Sequence, residues 1–130
     1  MARILVIDDE LVIRQALSIM LANVGHKVET AENGRAGLDL LERESFDLVL
    51  TDILMPEMDG VEAMRKLRAL PSPPKIVAMS GGVQLTREDF PRAAELLGAD
   101  AALSKPFRAR ELYALVDRLL RPPTGRGGGP

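Results

Sequence analysis

The sequence contains no cysteine and a single histidine, His26. Disulfides, thiolate chemistry and thiolate zinc sites are excluded together, and so is a metal site built from several histidines. Aromatic residues make up only 3%, and 17 Lys+Arg against 19 Asp+Glu leave a net charge of -2. Little is available to stack on bases and no long-range field gathers a polyanion, so direct nucleic-acid binding is not expected. No apolar run approaches membrane-spanning length, and the short apolar stretch after Met1-Ala2-Arg3 is too brief for a signal peptide. A cytoplasmic protein without membrane contact is the expectation. What is present suits one folded domain: 130 residues, 46% hydrophobic and 28% charged, enough for a core and too few for two full domains.

Apolar runs of strand length alternate with helical patterns. Ile4 to Ile7 is a β-branched-rich run with almost no alternation, as expected of a strand covered on both faces. Ile13, Ala16, Leu17, Met20, Leu21 and Val24 then follow helical spacing along one stripe, and Gly25 supplies the stop. Val28 to Ala31 is a weaker strand, after which Asn33-Gly34 opens a helix with Gly37, Leu38 and Leu41 inward. Leu48 to Thr51 is the third strand. Met55 to Gly60 must be loop, and Asp59 with Glu62 reads as a capping box for a helix of Val61, Met64 and Leu67. Lys75 to Met79 gives a fourth strand. Phe90, Ala93, Ala94 and Leu97 mark a helix, Ala101 to Ser104 a fifth strand, and Leu112, Leu115, Val116, Leu119 and Leu120 a closing helix. The alternation predicts an α/β fold, a doubly wound five-stranded parallel sheet with helices on both faces. The domain should span residues 1–121, with 122–130 a flexible Pro/Gly-rich tail.

In such sheets ligands bind beyond the carboxyl ends of the strands. There the sequence places Asp8-Asp9-Glu10 after strand one, Asp52 after strand three, Ser80-Gly81-Gly82 after strand four and Lys105-Pro106 after strand five. Taken singly, each has a bland reading as a helix cap or a solvated surface residue. Together, carboxylates crowded at one edge repel unless a cation compensates them. Oxygen-only ligands favour magnesium, and Ser80 and Lys105 could then bind the oxygens of a phosphoryl group on that ion.

Asp8-Asp9, Asp52 with Ile53 to Gly60, Ser80, and Lys105-Pro106-Phe107, each at its strand end, resemble the receiver domains of two-component response regulators. The resemblance runs from Arg3 to Leu120. It implies the flavodoxin-like strand order 2-1-3-4-5, the order found in chemotaxis receivers. It also implies that Asp52 takes a phosphoryl group from a phosphohistidine of a sensor histidine kinase or phosphotransfer protein. Asp8, Asp9, Asp52 and the backbone carbonyl of Leu54 would hold Mg2+ or Mn2+, with Asp9 favoured over Asp8 as direct ligand. Ser80 and Lys105 would bind phosphoryl oxygens, the Lys105-Pro106 bond would be cis at Pro106, and Gly81, Gly82 and Ala102 would form the switch region. The module would be no enzyme beyond slow autophosphorylation and autodephosphorylation. No output domain follows Leu120, so its output would pass by binding, either to a separate downstream protein target or to a domain outside this sequence.

Two features depart from the family pattern. An aromatic switch residue is common where Ala102 stands, and the segment from Gly81 to Gly98 is longer than usual. Both bear on output and leave the phosphoacceptor chemistry untouched. An aspartate-nucleophile phosphatase would carry a second acid where Leu54 stands, and a flavin or dinucleotide site would not present Asp8-Asp9-Glu10 to a phosphate. A receiver-like module that is never phosphorylated is the remaining alternative. His26, between a helix stop and a strand, reads as a surface or turn residue.

Overall fold

Ile4, Leu5, Val6 and Ile7 are all buried because their strand, β1 (Arg3–Ile7), is paired on both sides within a parallel sheet and covered on both faces. The computed structural model describes residues 2–52, 65–80 and 98–121. The chain continues through α1 (Leu11–Asn23), β2 (Lys27–Ala31), α2 (Gly34–Arg43), β3 (Leu48–Asp52), a helical turn at residues 65–68, β4 (Lys75–Ser80), β5 (Ala101–Ser104) and a closing helix (Ala109–Leu120). The sheet order is β2-β1-β3-β4-β5 with every pair parallel. This is the doubly wound order expected above.

Alternate residues of each strand serve two cores, as the two-residue side-chain period requires. Ile4, Val6, Leu48, Leu50, Val77, Met79 and Leu103 pack with α1 and the closing helix through Leu17, Leu21, Leu112 and Val116. On the other face Leu5, Ile7, Val49, Ile76 and Ala78 pack with Phe46, Leu67 and the partly buried Leu38, Leu40 and Leu41. Gly37 allows α2 to lie close to β1: a Cβ there would sit 2.4 Å from Ile7 Cδ1. Asn33 caps α2, its side-chain oxygen accepting from the Ala36 N–H at 2.8 Å.

Strand boundaries differ from the expectation by a residue at most. β2 begins at Lys27, and β3 and β4 run on to Asp52 and Ser80. One helical position is corrected. The spacing puts Val24 in the buried stripe of α1, yet the helix ends at Asn23 and Val24, its C-cap, is 41% exposed. Gly25 turns the chain at φ 94°, a conformation that favours glycine. His26 is a second correction, being partly buried beside β2 with its Nδ1 enclosed. Leu54, the loop from Met55 to Gly60, the Asp59/Glu62 cap, Gly81, Gly82, the helix of Phe90 to Leu97 and the tail at 122–130 lie outside the described residues. Among the described residues, no helix is long and apolar enough to cross a membrane.

Candidate functional site

All five strands are parallel, so their carboxyl ends face one way and β1, β3, β4 and β5 deliver their last residues to a common edge. At β1, the N–H of Asp8 donates to the Ala31 carbonyl at 3.1 Å and prolongs the β1–β2 pairing by one step. Asp8 is thereby fixed at 0% exposure, while Asp9 and Glu10 stand in solvent. Oδ1 of Asp8 accepts from the Glu10 N–H at 2.9 Å, which tightens the turn into α1. One helical turn on, the Arg14 guanidinium folds back and donates to the Asp8 carbonyl at 2.7 Å.

Asp52 is the last residue of β3 and is 5% exposed. The register sets it opposite Met79, with Ser80 next along β4 and itself opposite Ser104. Ser80 is 1% exposed, and its carbonyl accepts from the Lys105 N–H at 2.8 Å. That bond aims the residue after β5 toward the acidic ends. Lys105 Nζ lies 2.7 Å from Asp8 Oδ2, 3.0 Å from Asp52 Oδ2 and 3.5 Å from Glu10 Oε1. The Lys105-Pro106 peptide is cis.

Burial alone would favour a neutral amine at Lys105. The hydrogen bonds and negative charges of Asp8 and Asp52 outweigh it, and the group is held above its ordinary value of 10.5. The lysine is a counter-ion shared by carboxylates from two places in the chain, the turn after β1 and the end of β3.

Asp8, Asp9, Glu10 and Asp52 each place a carboxylate oxygen within 4.8 Å of the others. Four carboxylates against Lys105 and the Arg14 guanidinium leave the edge short of positive charge. An octahedral magnesium ion with bonds of about 2.1 Å spans roughly 4.2 Å between opposite ligands, so a set this close fits a small hard dication. A groove of about 700 Å³ is lined by Leu21, Val24, His26, Tyr113 and Val116. It lies at the amino ends of the strands, where no such acidic set gathers among the described residues.

The structure therefore brings together Asp8, Asp9, Asp52, Lys105 and the end of β4 at Ser80. Ala102 is placed on β5 opposite Ala78, packed against the core on the α2 face. Sequence reasoning missed Arg14 and the contact of Glu10 with Lys105. Arg14 donates to a backbone carbonyl, so no side chain in the sequence marks it.

Comparison with known proteins agrees with this arrangement. The family model of the response regulator receiver domain matches residues 4–117. The chain is 38% identical over 122 residues to the "Transcriptional regulatory protein CpxR homolog" of Haemophilus influenzae, covering 93% of this chain and 51% of that one. It is 38% identical over 127 residues to "Response regulator MprA" of Mycolicibacterium vanbaalenii, covering 97% and 53%. The chain thus spans about half the length of these relatives. Among solved structures, the chemotaxis response regulator CheY4 of Vibrio cholerae superposes with a TM-score of 0.81 at 31% identity, covering 92% of this chain and 99% of that one.

Proposed function

The chain belongs to the response regulator receiver domain family, and on that premise we propose that it accepts a phosphoryl group on Asp52 from a phosphohistidine. The donor is a sensor histidine kinase or a phosphotransfer protein, and the transferred group changes the surface offered to a downstream protein. The observation that carries this reading is the buried Asp52 carboxylate, joined by one lysine to Asp8 and flanked by Asp9 and Glu10.

In the transfer, an Asp52 carboxylate oxygen forms a bond to phosphorus as the phosphorus–nitrogen bond of the donor breaks. The imidazole nitrogen keeps that electron pair, and a ring already protonated on its other nitrogen leaves as neutral imidazole. The product is an acyl phosphate, an activated covalent state. Asp8, Asp9 and Asp52, with the Leu54 carbonyl outside the described residues, would hold Mg2+ or Mn2+. Bound there, the ion offsets the repulsion between a carboxylate nucleophile and an anionic phosphoryl group. Lys105 already contacts Asp52, so a phosphoryl group on that oxygen brings its own oxygens within the lysine's reach, and the Ser80 hydroxyl at the adjacent strand end donates to another.

The burial of Asp8, Asp52 and Ser80 restricts water, which preserves the acyl phosphate long enough to signal. The chain is accordingly a phosphoacceptor with at most slow autophosphorylation and autodephosphorylation, and it works in the cytoplasm. Leu11 and Val12 are 56% and 73% exposed directly beside the acidic loop, an apolar rim against which a donor can dock. The test is incubation with phosphoramidate, a small phosphorus–nitrogen donor, followed by intact mass. One added phosphoryl group with Mg2+ and none with a chelator is the expected result; equal labelling in both would overturn the proposal.

A further inference from the structure

Glu10 is the N-cap of α1, yet its side chain makes no capping hydrogen bond there. Glutamate is a poor capping residue compared with Ser, Thr, Asp or Asn, so its contribution to the helix start is limited to its charge beside the positive end of the helix dipole. The carboxylate turns instead to the sheet edge, with Oε1 3.5 Å from Lys105 Nζ and an oxygen within 4.8 Å of those of Asp8, Asp9 and Asp52. Its side chain remains 62% exposed. The residue thus has a local role open to it at the helix end and places its charge at the acidic cluster.

Resting on the reading of Asp52 as a phosphoacceptor assisted by a divalent cation, we propose that Glu10 is a further positioning residue for that cation. It would act from the solvent side through its charge, beside the carboxylates of Asp8, Asp9 and Asp52 that would hold the ion. Glu10 adds one negative charge to those that Asp8, Asp9 and Asp52 turn toward the cation, which strengthens cation capture before any phosphoryl group arrives.

The size of the effect follows from Coulomb's law. A unit charge about 5 Å from a dication in a water-like medium corresponds to roughly fifteen-fold in affinity without salt. Screening at physiological ionic strength reduces this to about four-fold, and at 1 M salt to under about two-fold. The experiment is calorimetric titration of MgCl2 into the metal-free parent, Glu10→Gln and Asp9→Asn, at about 0.15 M and 1 M NaCl. Glu10→Gln should raise the Mg2+ Kd about four-fold at the lower salt, with the ratio to parent falling below two-fold at the higher. An unchanged Kd for Glu10→Gln, or a ratio insensitive to salt, overturns the proposal while a strong loss in Asp9→Asn leaves the cation site standing. Unchanged binding in Asp9→Asn as well would overturn the cation site itself, and the role of Glu10 with it.

Discussion

Replacing Lys105 by methionine keeps most of the side-chain volume and removes the charge that joins Asp8 to Asp52. Asp8 has 0% and Asp52 5% exposure, and the lysine side chain is itself only 10% exposed. Removing one partner of a buried ion pair costs about 3–5 kcal/mol, because the charge left behind is uncompensated. Lys105 lies at the open end of the sheet, where water can relax around Glu10, so the lower limit of about 3 kcal/mol applies. In a domain of this size that is a fall in Tm of roughly 10–15 °C. The assay is thermal or urea unfolding of parent and Lys105→Met at neutral pH, with EDTA and then with Mg2+.

A dication held by the same carboxylates replaces the missing positive charge. At about a hundred times its Kd it adds roughly 2.7 kcal/mol, nearly the whole deficit. The parent, whose carboxylates already have a counter-ion, should gain less. The alkaline limb gives an independent check. Since the folded pKa of Lys105 is raised above 10.5, the stability it confers is complete below that value. It is lost as pH climbs through the folded pKa, so the gap between parent and variant should narrow only above about pH 10.5. Equal gains from Mg2+ in both proteins, or no loss in Lys105→Met under EDTA, would refute the reasoning.

Three further outcomes follow from other parts of the chain. Gly37→Ala sets a Cβ 2.4 Å from Ile7 Cδ1 and 2.8 Å from Cγ1. Overpacking of about 1–3 kcal/mol exceeds the helix-propensity gain of about 1, giving a net loss near 1 kcal/mol in urea unfolding that shrinks in an Ile7→Val background. A stabilised Gly37→Ala in the parent background would contradict the packing described. A chain ending at Arg121 should keep its Tm within about 2 °C, because nothing from Pro122 onward carries an apolar side chain other than proline. A larger drop would show that residues 122–130 dock. Ala102 has no ring to rotate, so a beryllofluoride mimic should change amide exchange most between Gly81 and Gly98; largest changes in α1 would count against that switch.

The fold was legible where one physical cause dominated each segment. β1 reads as an unbroken apolar run because both its faces are covered, and its four buried residues divide between the two cores. β2 reads weakly because it is an edge strand whose Lys27, Glu29 and Thr30 meet solvent. Periodicity carries the inner stripe of α1 on to Val24 because spacing alone has no stop, whereas Gly25 ends the helix through its backbone conformation.

At the site, the strand-end acids, Ser80 and Lys105 were readable from their order. Their gathering at one sheet edge was readable from the parallel topology; the direct pairing of Lys105 with Asp8, across 97 residues, and with Asp52, across 53, was not. Arg14 was hidden for a different reason. Its guanidinium serves a backbone carbonyl, and every residue offers one, so no partner in the sequence points back to it.

The central claim is that Asp52 is the phosphoacceptor, and the most direct measurement is intact mass and peptide mapping after acetyl phosphate with Mg2+, for the parent and Asp52→Asn side by side. The account predicts one phosphoryl group on the parent, mapped to the peptide that ends β3, and none on Asp52→Asn. Labelling of Asp52→Asn to the parent's extent, or a phosphoryl group mapped to Asp8, Asp9 or Glu10 in the parent, would contradict it.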